Sequence, residues 1–305
     1  MRFALSDEQR QFAASLHRAL DHSSSWADLA KLGVTALAVP ENAGGLGAGP
    51  VDLVVAFEEL GHHAVPGPLV ESIAAVPALL AGLGDDRLPA MASGDLVATL
   101  SFPPHLPYAA NADTADLVLA VAGDSVWVAD VAGPALSSVD PARRLFRTKP
   151  TSELAGGPGA RQAVARAFEI GALACAAQLL GAGRAMLELT VGYAKQRTQF
   201  GRPIGAFQAV KHQLADVLVA LELARPLLFG AACTLAARDI SAAKIAATLA
   251  ADRAATAALQ VHGALGYTQE YDLSRWLTTV RALRSTWGTV SVHRDTVTAE
   301  LGSTQ

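Results

Sequence analysis

Residues 161–197 carry apolar side chains on every face of what reads as one long helix. Such a helix has to be buried, so the rest of the chain has to wrap it. The interruptions at Arg184 and Glu188 break the apolar run short of a bilayer length, which points to a core helix or a large subunit interface rather than a membrane span. Hydrophobic residues make up 51% of the 305 and charged residues 17%, enough for a sizeable core. A net charge of −4 provides no basic field for nucleic acid, and 6% aromatics leave few platforms for stacking bases. Cys175 and Cys233 sit in alanine-rich runs without CxxC spacing, and are expected as buried thiols in a reducing compartment. The N-terminus has no apolar signal region, so the expected location is cytoplasmic.

Three stretches differ in character. Residues 1–95 read as a helical domain. Ser6 and Gln9 make a capping box ahead of Phe12, Leu16 and Leu20; Pro40, Gly44, Gly45 and Gly47 mark a loop; the helix of VDLVVAFEELGHH is expected to end at Gly61. A longer helix follows Pro66 and Pro68. Residues 96–155 read as a small β-region. LVATLSF, ADLVLAVAG and SVWVADV are strands, GDS at 123–125 is a hairpin turn, and TKPTSELAGGPGARQ is a linker. Residues 156–305 are helical again, with long helices at 206–238 and 240–262 joined by short connections, the pattern of an antiparallel bundle. The His62–His63 pair and His262 show no ligand spacing, so no metal site is expected.

The segment YAKQRTQFGRPIGAFQAVKHQLADV at 193–217 places Arg197 at a helix end, beside the free N–H groups of the helix that follows. A guanidinium next to a helix N-terminus suits a pyrophosphate, through bidentate pairing and the positive end of the helix dipole. Taken alone, the same pattern fits a surface arginine in a helix–turn–helix.

This segment resembles the signature Tyr-x-x-x-Arg-x-x-Phe-Gly-x-x-Ile-x-x-Phe-Gln of acyl-CoA dehydrogenases. QVHGALGYTQEYDLSRW at 260–276, LGVTALAVPENAGGLG at 32–47 with EELG at 58–61, and GTVSVHR at 288–294 resemble three further elements of that family, in the same order. The resemblance implies a mainly α fold with an N-terminal helical domain, a reduced middle β-domain and a C-terminal four-helix bundle. It also implies FAD as cofactor, held at a subunit interface. Arg197, Gln199 and Phe200, with Ile204, Phe207 and Gln208 on the same face, match positions on the FAD adenosine and pyrophosphate half. Gln260, Gly263 and Ala264 match the glycine loop, although Ala264 stands where the family prefers glycine. Phe168 and Glu169 match a pair that touches the pantetheine arm of an acyl-CoA.

The departures fall on the chemistry. Family members remove an α-proton with a glutamate while hydride leaves the β-carbon. One position for that glutamate holds Trp287 here, and the other, on the long helix, holds Gly171, with Ala172 in place of its neighbouring arginine. The flavin-ring loops of the middle domain are also missing. The resemblance therefore implies a base-less subunit that completes the FAD site of a full-length acyl-CoA dehydrogenase in an α2β2 heterotetramer, as in bacterial enzymes of sterol side-chain degradation, with a steroid side-chain CoA ester among the compatible substrates. Two alternatives stay open: a self-sufficient enzyme using an unrecognised base such as Glu270, and a degenerate acyl-CoA-binding or scaffold protein without redox chemistry.

Overall fold

The computed structural model describes residues 5–302; the outermost residues of the N-terminal stretch read above lie outside it. The long run becomes α6 (Gly157–Gln196), and its middle is enclosed on all sides. Before it come α1 (Asp7–Leu20), α2 (Trp26–Lys31), α3 (Pro50–His62), a π-helical turn at 70–75, α4 (Val76–Leu83) and α5 (Leu88–Ser93). After it come α7 (Gln208–Thr234), α8 (Ala237–His262), α9 (Leu273–Leu283) and α10 (Val290–Gly302). α8 packs on α6, α7 and α10, and α3 crosses α6.

Sequence cues account for these elements. Ser6 and Gln9 form the reciprocal capping box of α1. Gly61, expected as a helix end, lies inside α3, and His63 is the cap. A Cβ on Gly61 would stand 2.0 Å from the Gln178 carbonyl oxygen, and one on Gly181 would stand 1.9 Å from that of Glu58. The two glycines let the backbones of α3 and α6 touch. Leu235, at φ 52°, separates α7 from α8. Cys175 is buried as expected. Cys233 is exposed, because it falls on the outer face near the end of α7.

A five-stranded sheet separates the two helical stretches: β1 (Ala98–Ser101), β2 (Ala109–Ala110), β3 (Leu117–Ala122), β4 (Ser125–Leu136) and β5 (Leu145–Ala155), in the order β1-β3-β4-β5-β2. β3 and β4 join at Gly123–Asp124. Most of the expected linker is strand β5. Its Pro150 pairs with Ala129 beside a register shift, where a missing ladder donor is tolerated. The buried Arg143–Glu71 ion pair, 3.2 Å, ties the sheet to the N-terminal helices.

The expectation that Arg184 and Glu188 break the long run short of a bilayer length does not hold: α6, and α7 as well, is long and apolar enough to cross one. α6 buries its apolar faces in the core. α7 leaves Leu218, Val219, Leu223 and Leu227 exposed along one side.

Candidate functional site

Two sets of residues stand at separate levels of α6. At its C-terminal end, Arg197 caps the helix with a backbone N–H bond to Tyr193, and its side chain is exposed. The chain then makes a tight turn through β6 (Thr198–Gln199) and β7 (Arg202–Pro203), closed by Ile204 N–H donating to the Arg197 carbonyl, 2.8 Å. The turn requires left-handed backbone at Phe200 and Gly201, φ 53° and 76°. For phenylalanine that conformation is strained, and its side chain is 90% exposed. Phe207 meets Phe200 edge-on and carries the Arg202 guanidinium 4.1 Å above its ring. α7 starts at Gln208 without a side-chain cap, which leaves its first amides free.

The Gly263 loop closes the same end. His262, at the end of α8, stacks on Tyr193 with centroids 4.3 Å apart, and its Nδ1–H donates to the Ala258 carbonyl. Gly263 has φ 61° and ψ −137°. Gln260, Gly263 and Ala264 are exposed, as are Gln199 and Gln208. Ile204 is half-buried. The expected cofactor residues thus share one end of the bundle and present the Arg197 guanidinium, free helix amides, amide side chains and an uncovered aromatic ring, with Arg202 beside them. This donor set fits a dinucleotide's phosphates and adenosine.

About 33 Å lower on α6, at 1.5 Å per residue from Tyr193, lies Gly171. The Trp287 ring covers it, wholly buried, with its backbone at φ 58°. Trp287 Nε1 is enclosed without a hydrogen-bond partner. The Trp287 carbonyl accepts from His293 Nε2, 2.8 Å, so His293 Nδ1 accepts from the Ser241 hydroxyl, 3.0 Å. Burial pushes His293 down to about 4, which keeps it neutral. Gly288 makes room for it, since a Cβ there would meet His293 Nε2 at 2.6 Å.

Phe168 joins the same cluster. It stacks on His293 at 6.0 Å, approaches Trp287 at 6.3 Å and packs on His105 at 4.7 Å and Phe102 at 5.9 Å. Its neighbour Glu169 turns away to Arg166, 3.3 Å. Sequence reading missed Phe102 and His105, because only the fold brings the end of β1 over α6. Behind the cluster, Lys244 is fully enclosed and bonds to the Leu283 carbonyl and to Thr248; burial lowers its pKa and raises that of Cys175 beside it. Neither Glu270 nor Glu188, the carboxylates that could stand in for the missing base, lies near Gly171. Glu270 is exposed beside Tyr271, whose ring packs on His262 at the Arg197 end. Glu188 bonds to His62 at 3.0 Å, which holds its carboxyl below the usual range.

Comparison with known proteins places the chain by family and by fold. Residues 157–302 match the family model of the acyl-CoA dehydrogenase C-terminal domain, and residues 3–95 match that of the N-terminal domain. The acyl-CoA dehydrogenase IpdE2 of Mycobacterium tuberculosis is 36% identical over 249 residues, covering 80% of this chain and 75% of its own. The fold is that of the ChsE4–ChsE5 complex from Mycobacterium tuberculosis, with a TM-score of 0.87 at 22% identity over 99% of both chains. It is also that of a Tcur3481–Tcur3483 steroid ACAD variant, with a TM-score of 0.87 at 23% identity over 97% of this chain and 98% of the other.

Proposed function

Because this chain belongs to the acyl-CoA dehydrogenase family, we propose that it is the base-less subunit of a heteromeric, FAD-dependent acyl-CoA dehydrogenase. It lends the Arg197 end of its bundle to an FAD whose ring and catalytic glutamate belong to a full-length partner, in an α2β2 assembly. FAD, when bound, supplies the hydride acceptor for α,β-dehydrogenation of the acyl-CoA. The observation that carries this reading is the packing of Trp287 on Gly171. Neither position offers a carboxylate, and the indole leaves no space for one.

The chain's own work is binding and orientation. Arg197 is placed to pair with a phosphate, and the free amides of α7 add partial positive charge beside it. Gln199, Phe200, Ile204, Phe207 and Gln208 form the wall of that site, and Gln260, Gly263 and Ala264 form its second edge. Phe200 tolerates strain and exposure that a ligand or neighbouring subunit would relieve. The exposed leucines of α7 offer an apolar surface for that partner. Phe168 is locked among aromatic rings and Glu169 is paired with Arg166, so a contact with the pantetheine arm would require Glu169 to exchange partners.

The self-sufficient reading loses support from the position of Glu270, a helix length away from the covered acyl site. Solved structures of the same fold include a two-protein complex and a steroid ACAD variant, which favours a steroid side-chain CoA ester as substrate. Expressing the chain alone and together with a full-length homologue tests the proposal. The expected result is little flavin on the chain alone, and a yellow complex that oxidises acyl-CoA when the two are expressed together. Full acyl-CoA oxidation by this chain alone would overturn it, and failure of the pair to associate would favour the scaffold reading instead.

A further inference from the structure

The fold collects a second set of side chains that the flavin chemistry does not use. His17 on α1 meets Glu59, His62 and His63 at the end of α3, and one ligand atom from each of the four lies within 4.8 Å of every other. The three imidazoles pack with centroids 4.6 to 5.1 Å apart. No sequence spacing reveals this, because His17 arrives from a different helix.

The hydrogen bonds around the rings orient lone pairs. His63 Nδ1–H donates to the Glu59 backbone carbonyl at 2.9 Å, which leaves Nε2 as the ligand nitrogen. That nitrogen faces Asp21 Oδ1 at 3.2 Å, a position filled either by a proton on Nε2 or by a cation beside the two atoms. His62 Nδ1 is enclosed without any partner. Glu59 Oε2 lies 2.7 Å from His17 Nδ1, while its other oxygen approaches Arg184 at 3.6 Å. Asp21, Glu59 and Glu188 surround the rings with negative charge, and Arg184 offsets part of it.

We propose that His17, Glu59, His62 and His63 bind one Zn²⁺ ion. Three imidazoles and a carboxylate are a donor set that suits zinc. Ligand atoms about 3.3 Å apart are needed around a tetrahedral ion with bonds near 2.0 Å, so the rings close in by rotation. His17, half-exposed at the rim, has room to do so. A solvent-open cleft of about 780 Å³, lined by Asp21, His62, His63 and Glu188, gives the ion a way in. The proposal is independent of the flavin reading.

The test is titration of the chelator-treated full chain with Zn²⁺ by calorimetry, and with Co²⁺ by visible absorption. The expected results are one ion per chain and a cobalt spectrum of nitrogen and oxygen ligands without thiolate charge transfer. Zinc should also raise Tm. Cys233→Ser, which removes the exposed thiol, should leave the affinity unchanged, and His17→Gln or His63→Gln should weaken it roughly a hundredfold or more. Absence of a stoichiometric site in the wild type overturns the proposal, as does unchanged affinity in both histidine variants. The cobalt spectrum of the wild-type chain decides the matter even where a variant fails to fold: a thiolate spectrum, or none, overturns it.

Discussion

A Cβ on Gly171 would stand 2.4 Å from Cε3 of Trp287, so these two residues exclude each other's alternatives. A glutamate cannot occupy the helix position while the indole lies over it, and the indole cannot lie there over any other residue. Gly171→Ala is therefore expected to lower stability by about 1–3 kcal/mol through overpacking. Trp287→Ala alone is expected to cost about 3–5 kcal/mol by leaving a cavity. In the double variant the added methyl no longer clashes, so the combined loss should fall short of the sum by about 1 kcal/mol or more. Denaturant unfolding of the four proteins measures this coupling, and additive losses would show that the ring does not act on Gly171.

Arg197→Ala should weaken FAD binding in the assembled complex without changing the fold of the chain, because the side chain is exposed and only the backbone caps α6. A charge-assisted hydrogen bond to phosphate is worth about 1.5–3 kcal/mol, or roughly tenfold to hundredfold in Kd. Arg197→Lys should fall between, since lysine keeps the charge and loses the bidentate fork. Flavin absorbance per complex, with circular dichroism as the control, measures both. Full FAD occupancy in the alanine variant would remove Arg197 from the site.

Much of this was legible in the residues themselves. Helix ends, the capping box at Ser6 and the turn after Arg197 carry local signals, because capping and left-handed backbone constrain the residues in place. The end of α3 is not legible at Gly61, because a glycine that allows two helices to touch looks the same in sequence as one that ends a helix. Strand β5 was hidden by Pro150, whose turn-like character a neighbouring strand overrides, and by Gly156 and Gly157 just after its end. The aromatic cluster and the histidine cluster could not be read at all, since His105 and His17 meet their partners only through tertiary packing.

The His293 ring makes stability depend on pH in a predictable direction. Its pKa in the folded chain, about 4, lies below the 6.5 of the exposed ring. Above pH 6.5 both states are neutral and the term is constant. As pH falls from about 6.5 toward 4 the unfolded chain takes up the proton first, and stability declines by about 3 kcal/mol. His105 and His262 are also shifted down by burial, so the informative quantity is the difference between proteins. His293→Gln should flatten the loss of stability between pH 6.5 and 4 by about one proton's slope. Parallel curves for the two proteins would contradict the assignment.

Gly61→Ala and Gly181→Ala should be more damaging than Gly171→Ala. At Gly61 and Gly181 the intruding methyl would meet backbone rather than a ring. Losses of roughly 3 kcal/mol or more are expected, through separation of α3 from α6, with Tm falling by several degrees. Gly192→Ala on the same helix, where an added Cβ meets nothing, should instead be neutral or slightly stabilising. Thermal unfolding of the four variants gives the comparison.

The length of α6 has a consequence for how such a chain diverges. Its two functional levels share one rod but no contact, so substitutions at one level are expected to add independently to those at the other. A lineage could then lose the carboxylate and seal the lower level with tryptophan while the upper level stayed under its own constraint. The rod makes the molecule modular along its axis, so one floor can be edited while the other keeps its residues.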